Sequence, residues 1–322
     1  MKKQLTTNLA VLSLLIVPLL GYSAEKVDKT LDVLATPNVN IDIKRGNVQI
    51  QSWAENKIQV VGTLDELSEG LIFKREGDTI FIEDELPHVF HSNNDKGSQL
   101  TIKVPGELRI DVDGISSDFK VSKLEGEITI ESVSGNIEAS QLFNQPELHS
   151  VSGNIVAKDL SGNVRLSSVS GDIKDDKSRG NIHYKLVSGK LNASSNAKDI
   201  EIEQVSGEIE VNFPQVKQLQ IKSVSGDLDA DINGDIRRLR VESVSGDIAL
   251  NFDKNTSLTF EADGGPSGEI QNDLTNDNPK KARYTGSESI YFTTGSANGS
   301  ARINTVSGSV TFKASGIVLK KK

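Results

Sequence analysis

The sequence Val151-Ser152-Gly153-Asn154-Ile155 decides the fold, because it returns along the chain at a nearly fixed interval. Related phrases begin at Val133, Val169, Val187, Val205, Val224, Val244 and Val306. The step between the first five phrases is constant, the next two steps are longer by one and by two residues, and the last step is much longer. A fixed period of about 20 residues is the signature of a solenoid, in which successive coils stack on one another.

A shorter unit of nine residues lies within this period. Gly162 and Gly180 fall midway between the glycines of successive phrases. Each half-repeat reads glycine, a polar residue, and then apolar residues at alternate positions, as in residues 126–134. Such alternation is typical of a strand with one buried face. The next apolar residue, Val133 in this example, is out of phase and predicts a corner before it. Glycine at that corner, as at Gly153 and Gly171, predicts a positive φ.

Three known architectures have coils of similar length, and the positions of glycine and of the apolar residues discriminate between them. Apolar positions recur every nine residues here, which counts against the hexapeptide β-helix. The calcium β-roll needs Gly-Gly-x-Gly-x-Asp, whereas a single glycine is present at each corner. The sequence therefore predicts an all-β fold, a right-handed parallel β-helix (β-solenoid). Its coils would hold about 18 residues and consist of two half-repeats of nine residues each.

The repeat also predicts the organisation of the chain and its core. We expect a signal peptide over residues 1–24, an N-terminal β region and solenoid cap over 25–115, and a regular array over 116–260. A loop with C-terminal coils and a cap would follow over 261–322. Buried side chains are expected at Ile128, Ile137, Ile155, Ile173, Ile209, Leu228 and Ile248. Tyr284, Tyr291 and Phe292 are expected to pack in the cap, and the alternative is that they face a ligand.

The first 24 residues resemble an export signal rather than part of the fold. Lys2 and Lys3 precede an apolar run from Leu9 to Leu20, and small residues follow up to Ala24. This pattern predicts a secretory signal peptide, cleaved after Ala24 or one residue earlier. The alternative is a retained membrane anchor, but the run is short for a span. The predicted location is therefore the periplasm or the cell surface and extracellular space, with no membrane span after signal cleavage.

Composition narrows the classes of partner. The chain has no Cys, so it forms neither disulfides nor thiolate metal sites. Its formal net charge is −9, and loss of Lys2 and Lys3 would make the mature chain more acidic still. An acidic surface argues against nucleic acid and against anionic lipid as partners.

Two groups of side chains are candidate metal sites. Glu208, Asp227 and Asp247 follow the corner glycines of three successive coils and would form an acidic ladder with a spacing of about 4.8 Å. A bound cation would relieve their repulsion, whereas the alternative is that they are solvated corner residues. His88, His91 and Asp95 form the second group, with ordinary loop residues as the alternative. No catalytic residue and no cofactor is predicted.

The phrases Ser132-Val133-Ser134-Gly135-Asn136-Ile137 and Thr305-Val306-Ser307-Gly308-Ser309-Val310 resemble the bacterial putative-adhesin family. That family, a domain of unknown function, comprises repetitive secreted β-helix proteins. The resemblance covers about residue 38 to the C-terminus. It implies a right-handed β-helix and an envelope location, and it names no chemistry or ligand.

These observations predict a non-enzymatic exported cell-envelope protein, an adhesin-like binding or scaffold β-solenoid. Its partner would be an envelope protein or a polysaccharide. The alternative is a carbohydrate-active β-helix enzyme, either a polysaccharide lyase or a hydrolase, although gathered acids with Arg or Lys are not evident in the regular coils. Ice binding needs flat Thr-x-Thr arrays, which the repeats lack.

Overall fold

A computed structural model of the chain describes residues 24–87 and 96–315. Every regular element in these two ranges is a β-strand, and most pairings between strands are parallel. The absence of helix among these residues follows from the sequence, because its apolar residues alternate and glycines interrupt them at short intervals.

The N-terminal region contains eight strands that precede the regular coils. They are β1 (Lys26–Asp32), β2 (Asn38–Asp42), β3 (Arg45–Trp53), β4 (Lys57–Thr63), β5 (Gly70–Glu76), β6 (Thr79–Glu85), β7 (Ser98–Pro105) and β8 (Glu107–Gly114). Antiparallel pairing occurs in β1 with β4, β4 with β7, and β5 with β6.

The regular coils begin at β9 and continue to β21. Their strands are β9 (Ser116–Ser132), β10 (Ile137–Ser150), β11 (Ile155–Lys158), β12 (Ser161–Ser168), β13 (Ile173–Asp176), β14 (Arg179–Ser188), β15 (Leu191–Ser194), β16 (Asp199–Ser206), β17 (Ile209–Phe213), β18 (Gln218–Ser225), β19 (Leu228–Ile232), β20 (Arg238–Ser245) and β21 (Ile248–Phe252).

Six strands follow the regular coils. They are β22 (Leu258–Asp263), β23 (Ser267–Asn272), β24 (Lys280–Lys281), β25 (Glu288–Thr293), β26 (Gly299–Asn304) and β27 (Ser307–Ala314).

The strand register gives the length of a coil. Ile137 pairs with Ile155, and Ile155 pairs with Ile173, so one coil equals the step between successive Val-Ser-Gly phrases. The later pairs Ile209 with Leu228, and Leu228 with Ile248, lengthen the coil by one and then by two residues. The predicted all-β solenoid is confirmed, and its right-handed sense remains a prediction.

Each coil contributes one strand to each of two faces. The long face consists of β12, β14, β16, β18 and β20, joined by the second halves of β9 and β10. The short face consists of β11, β13, β15, β17, β19 and β21. The Tyr184 hydroxyl on the long face lies 2.7 Å from the Asp175 carboxylate on the short face, so the two faces back onto each other across the core.

The predicted core residues Ile128, Ile137, Ile155, Ile173, Ile209, Leu228 and Ile248 are all buried. The expected corner before Val133 is wrong. Alternation continues inward through Ile128, Ile130 and Ser132, while Val133 points outward with 45% of its surface exposed. Burial of the Ser132 hydroxyl is favourable because it accepts a hydrogen bond from the N–H of Gly135 in the corner that follows.

Positive φ was expected at Gly153 and Gly171, and this expectation is wrong for both, whereas Gly162, Gly180 and Gly246 do have positive φ. The reason for glycine at the first two positions is the stacking of coils. A Cβ on Gly171 would overlap the carbonyl oxygen of Gly153 in the preceding coil, and one on Gly153 would overlap that of Gly135.

The two ends of the solenoid have the same kind of strand order, in which one coil lies between two others. Strands β2 and β3 lie between the outer pair β6 and β7 and the inner pair β8 and β9. At the other end, β26 and β27 lie between the outer pair β22 and β23 and the inner pair β20 and β21. The first and the last coil in sequence thus each have a neighbouring coil on both sides, so that neighbouring strands cover both of their edges.

Aromatic residues fill the C-terminal end of the core. Phe260 stacks on Phe292 at 4.5 Å between ring centroids, and Phe252 and Phe312 pack edge-on against Phe260. Phe292 is buried in the cap as expected. Tyr284 and Tyr291 are not, with 93% and 69% of their surface exposed, because Tyr291 alternates with Phe292 along β25 and points outward.

Candidate functional site

The acidic residues predicted after the corner glycines lie along one edge of the short face and hold coils together. The Asp227 carboxylate accepts a hydrogen bond from the backbone N–H of Asp247 at 2.9 Å. The Asp247 carboxylate in turn accepts one from the backbone N–H of Ser309 and one from its hydroxyl. These hydrogen bonds lower the pKa of Asp247. Glu208 instead pairs with Lys190 at 3.1 Å.

The same bond recurs in the earlier coils, where Asn or Asp occupies the equivalent corner position. Asp118 accepts from the N–H of Asn136, Asn136 from Asn154, Asn154 from Asp172, and Asp172 from Lys190. The Asn or Asp of the repeat therefore satisfies a backbone donor of the next coil, not its own turn. Sequence reasoning missed this role because the partner lies a full coil away along the chain.

Metal binding at these residues remains a prediction. Across residues 24–87 and 96–315, no group of three or more His, Asp or Glu side chains is arranged to hold a metal ion. The second candidate group, His88, His91 and Asp95, lies outside the described residues.

A shallow groove of about 360 Å³ crosses the strands of the long face. Its rim carries polar side chains from five successive coils: Asn163, Arg165, Asn181, His183, Asp199, Glu201, Gln218, Gln220, Arg238 and Arg240. Apolar residues such as Val164 and Ile182 contribute to its floor. An elongated and open depression of this kind offers a long contact surface instead of an enclosed pocket.

Parallel register places the groove residues in columns. Arg165 pairs with His183, His183 with Glu201, Glu201 with Gln220, and Gln220 with Arg240. All five are outward positions on β-strands, so their side chains stand side by side with a spacing of about 4.8 Å. The repeat sequence fixes this arrangement, although the residues themselves are not repeated.

The charged groups in and beside the groove are mostly paired with each other. His183 Nδ1 lies 3.3 Å from Glu201, and the Lys222 ammonium lies 3.3 Å from Glu201 and 2.8 Å from Glu203. The hydrogen bond from Lys222 lowers the pKa of Glu203. His183 and Glu201 have 34% and 41% of their side-chain surface exposed, so solvent reaches both. This arrangement matches a solvated ion-pair ladder.

The groove continues towards the C-terminal end of the long face. A second depression of about 360 Å³ shares Arg238 and Arg240 with the first, and Tyr291, Arg302 and Glu261 add to its lining. Arg240 pairs with Arg302 on the neighbouring strand, and Glu261 lies between Arg302 and Tyr291 in the same column. We call these five residues the arginine–tyrosine end.

The N-terminal end of the long face is acidic by contrast. Asp42, Asp113 and Glu131 lie in register on adjacent strands. Partial burial, followed by the charges of Glu131 and Asp42, raises the pKa of Asp113. The two ends of one face thus carry charge of opposite sign.

The carboxyl groups with the most perturbed environments lie away from both depressions. Burial raises the pKa of Asp175 to about 6, although Ser178 and Tyr184 both donate hydrogen bonds to its carboxylate. Burial also raises the pKa of Asp84, which accepts hydrogen bonds from Ser68 and Ser98 in the N-terminal region. Both carboxylates are almost inaccessible to solvent, so they serve the packing of the coils.

The chain belongs to the Toastrack DUF4097 family, whose model matches residues 36–313. The resemblance to a family of unknown function, with its solenoid fold, is thereby confirmed. No curated protein matches the chain.

Solved structures of low sequence identity are similar to the chain. A putative cell adhesion protein from Clostridium sporogenes is 10% identical, covers 91% of this chain and 100% of its own, and has a TM-score of 0.27. A putative lipid binding protein from Parabacteroides distasonis is 21% identical, with 70% and 96% covered and a TM-score of 0.44. A putative adhesin from Bacteroides fragilis is 14% identical, with 91% and 98% covered and a TM-score of 0.40.

Within the ranges that the structure describes, no helix has the length and apolar character needed to span a membrane.

Proposed function

We propose that the chain is an exported, non-enzymatic binding or scaffold protein of the cell envelope, which holds an elongated partner along its long face. The observation that carries this proposal is the groove, because its residues follow the solenoid axis over eight adjacent strands from β12 to β25. Seven steps of about 4.8 Å make that surface roughly 34 Å long. A site of this shape suits an extended polymer better than a small molecule.

Three further observations support the proposal. Residues 1–24 have the pattern of an export signal. The solenoid fold presents long surfaces for binding more often than enclosed catalytic pockets. General acid–base catalysis needs groups that converge on one reacting atom, whereas His183 and Glu201 in the groove are exposed and paired with each other.

The absence of Cys allows a direct test, because one introduced Cys becomes the only label site. Gln220→Cys places a photocrosslinker in the groove, and Asn192→Cys places the same group on the exposed short face as a matched control. The mature protein would be incubated with a panel of envelope polysaccharides and with intact envelopes. We expect crosslinked polymer from the Gln220→Cys protein only.

Two results would contradict the proposal. Equal crosslinking from both positions would mean that the long face is not a specific site. Release of shortened polysaccharide that disappears in Glu201→Gln or His183→Ala would identify an enzyme instead.

A further inference from the structure

The arginine–tyrosine end differs from the rest of the long face in its density of arginine and in its exposed aromatic ring. Arg240 and Arg302 are direct neighbours on adjacent strands, and Arg238 lies two residues before Arg240 on the same face. Like charges placed opposite each other destabilise a sheet. Tyr291 adds an exposed aromatic ring in the same column. Such a cluster on an acidic protein indicates a ligand of opposite charge.

The hydrogen bonds show which guanidinium is available. Arg240 donates to Glu242, and Arg302 donates to Glu261 through two nitrogens at 2.9 and 3.1 Å. Arg238 has only a long contact of 3.5 Å to the Gln218 side chain. Its planar fork of donors is therefore free to bind a carboxylate through two hydrogen bonds.

The rest of the groove indicates how densely charged the ligand is. The side-chain amides of Asn163, Asn181, Gln218 and Gln220 bond to neighbouring side chains, and their remaining donors and acceptors can hydrogen-bond to hydroxyls. Asp199 and Glu201 would repel a continuous polyanion. The single ring of Tyr291 offers one flat surface for the apolar side of a sugar ring. A nucleic acid has a charge on every unit and stacks on several aromatic rings, and it fits this surface poorly.

We propose that the arginine–tyrosine end is a subsite for a carboxylate-bearing polysaccharide, with Arg238 binding the carboxylate and Tyr291 packing against a sugar ring farther along the same polymer. This assignment rests on the proposed function of the long face. Glu261 already accepts both hydrogen bonds from Arg302, and its negative charge lowers the affinity of the cluster for a carboxylate.

The test compares an oligosaccharide that carries one uronic acid among neutral sugars with the methyl ester of the same oligosaccharide, which lacks the negative charge, by calorimetry on the mature protein. We expect the acid form to bind at least about tenfold more tightly. Arg238→Gln should weaken binding of the acid form about tenfold, while the ester changes less than about twofold; tenfold corresponds to about 1.4 kcal/mol. Glu261→Gln should strengthen binding of the acid form alone, by about two- to fivefold.

Matched controls share the chemistry of the substituted residue but lie outside the site. Arg109 occupies the same column as Arg238 at the far end of the long face, so Arg109→Gln should change the affinity less than twofold. Tyr291→Ala should weaken binding of both polymers, whereas Tyr284→Ala, at a more exposed ring outside the groove, should weaken neither. All four side chains are exposed, so folding should be retained.

Several outcomes would overturn the subsite. Equal affinity for the acid and the ester would do so, as would equal losses in Arg238→Gln and Arg109→Gln. Tighter binding of inorganic polyphosphate or a single-stranded oligonucleotide would reassign the ligand. If a neutral polymer crosslinks to Gln220→Cys while the acid form shows no preference, this subsite is wrong and the proposed function stands. If no polymer binds anywhere on the long face, both fail.

Discussion

The phrase Ser-Val-Ser-Gly-Asp-Ile occurs twice, at residues 168–173 and 243–248, and the two copies fold differently. In the first copy, the Ser168 hydroxyl accepts the N–H of Gly171, the glycine has no positive φ, and the strand ends at Ser168. In the second copy, Gly246 has a φ of +116° and the strand continues to Ser245. Identical local sequence therefore does not determine the corner.

The stack of coils accounts for the difference. Ser132, Ser150 and Ser168 each accept the glycine N–H of their own corner. Leu186 occupies the equivalent position in the next coil and has no hydroxyl, and Gly189 there has a φ of +129°. From that coil on, the strand pairing extends into the corner. Ser188 pairs with Ser206, Ser206 with Ser225, and Ser225 with Ser245. Each later corner matches its neighbour because a mismatch would break these parallel pairs.

Substitutions of glycine should cause the largest losses in free energy of unfolding, and they test why the two corners differ. Gly246→Ala adds both a Cβ overlap with the Gly226 carbonyl and a strained φ, whereas Gly171→Ala adds overlap alone. Gly77→Ala, in open space at a φ of +60°, adds strain alone. Overpacking costs about 1–3 kcal/mol and positive φ about 1–2 kcal/mol. We expect the losses in free energy of unfolding to decrease from Gly246 to Gly171 to Gly77, measured by urea denaturation. Equal stability of Gly171→Ala and the parent would disprove the stacking explanation.

Substitutions in the coil that contains Asp175 and Tyr184, between the two copies of the phrase, should have the next largest effect on stability. Asp175 and Tyr184 occupy the positions where the preceding coil has Ala157 and Leu166. The folded state keeps a proton on Asp175 up to about pH 6, while the unfolded chain releases it near pH 4. The contribution of Asp175 to stability is therefore greatest below about pH 4 and is lost as the pH rises through about 6, by about 3 kcal/mol in total.

Two variants test that pH dependence. Asp175→Asn should remove this fall, and Asp175→Ala with Tyr184→Leu should stabilise the protein at pH 7 by about 1–3 kcal/mol. The control is Asp176→Asn, at the more exposed neighbouring carboxylate. The difference between variant and parent, followed by urea melts from pH 4 to 8, isolates the single group. A difference that stays constant with pH would show that Asp175 does not titrate in this range.

Serine substitutions in the two identical phrases sharpen the comparison further. Ser168→Ala leaves the buried N–H of Gly171 without its acceptor, which costs about 1–3 kcal/mol. Ser243→Ala removes only a 3.3 Å contact to the Ser245 carbonyl, so its loss should be smaller by about 1 kcal/mol or more. Matching losses in thermal melts would mean that the hydroxyl contributes the same at both corners.

The part of this fold that the sequence predicts is the part that its period controls. The inward Ile positions and the constant step between coils follow from alternation and spacing alone. The corner before Val133 was predicted wrongly because hydrophobicity ignores a buried hydroxyl, that of Ser132, which accepts a backbone hydrogen bond. The position of β2–β3 and of β26–β27 between two other coils was not predicted, because their strand pairings join segments that long insertions separate in the sequence. The groove was missed for a related reason, since its columns depend on which non-repeated residue occupies each outward position.

Calcium should have the smallest effect on stability. Its addition tests whether the acidic corners of the late coils bind a cation in addition to the hydrogen bonds that the early corners also make. Asp227 and Asp247 each use a carboxylate oxygen to accept a backbone N–H of the next coil, as Asn136 and Asn154 do in the early coils. A ligand stabilises the native state only if it binds that state, and a cation here would compete with these hydrogen bonds. We expect melting temperatures with calcium and with chelator to agree within about 1 °C. Asp227→Asn with Asp247→Asn keeps an oxygen acceptor at both corners and should melt like the parent. A calcium-dependent rise that this double variant abolishes would establish the Glu208, Asp227 and Asp247 ladder as a cation site.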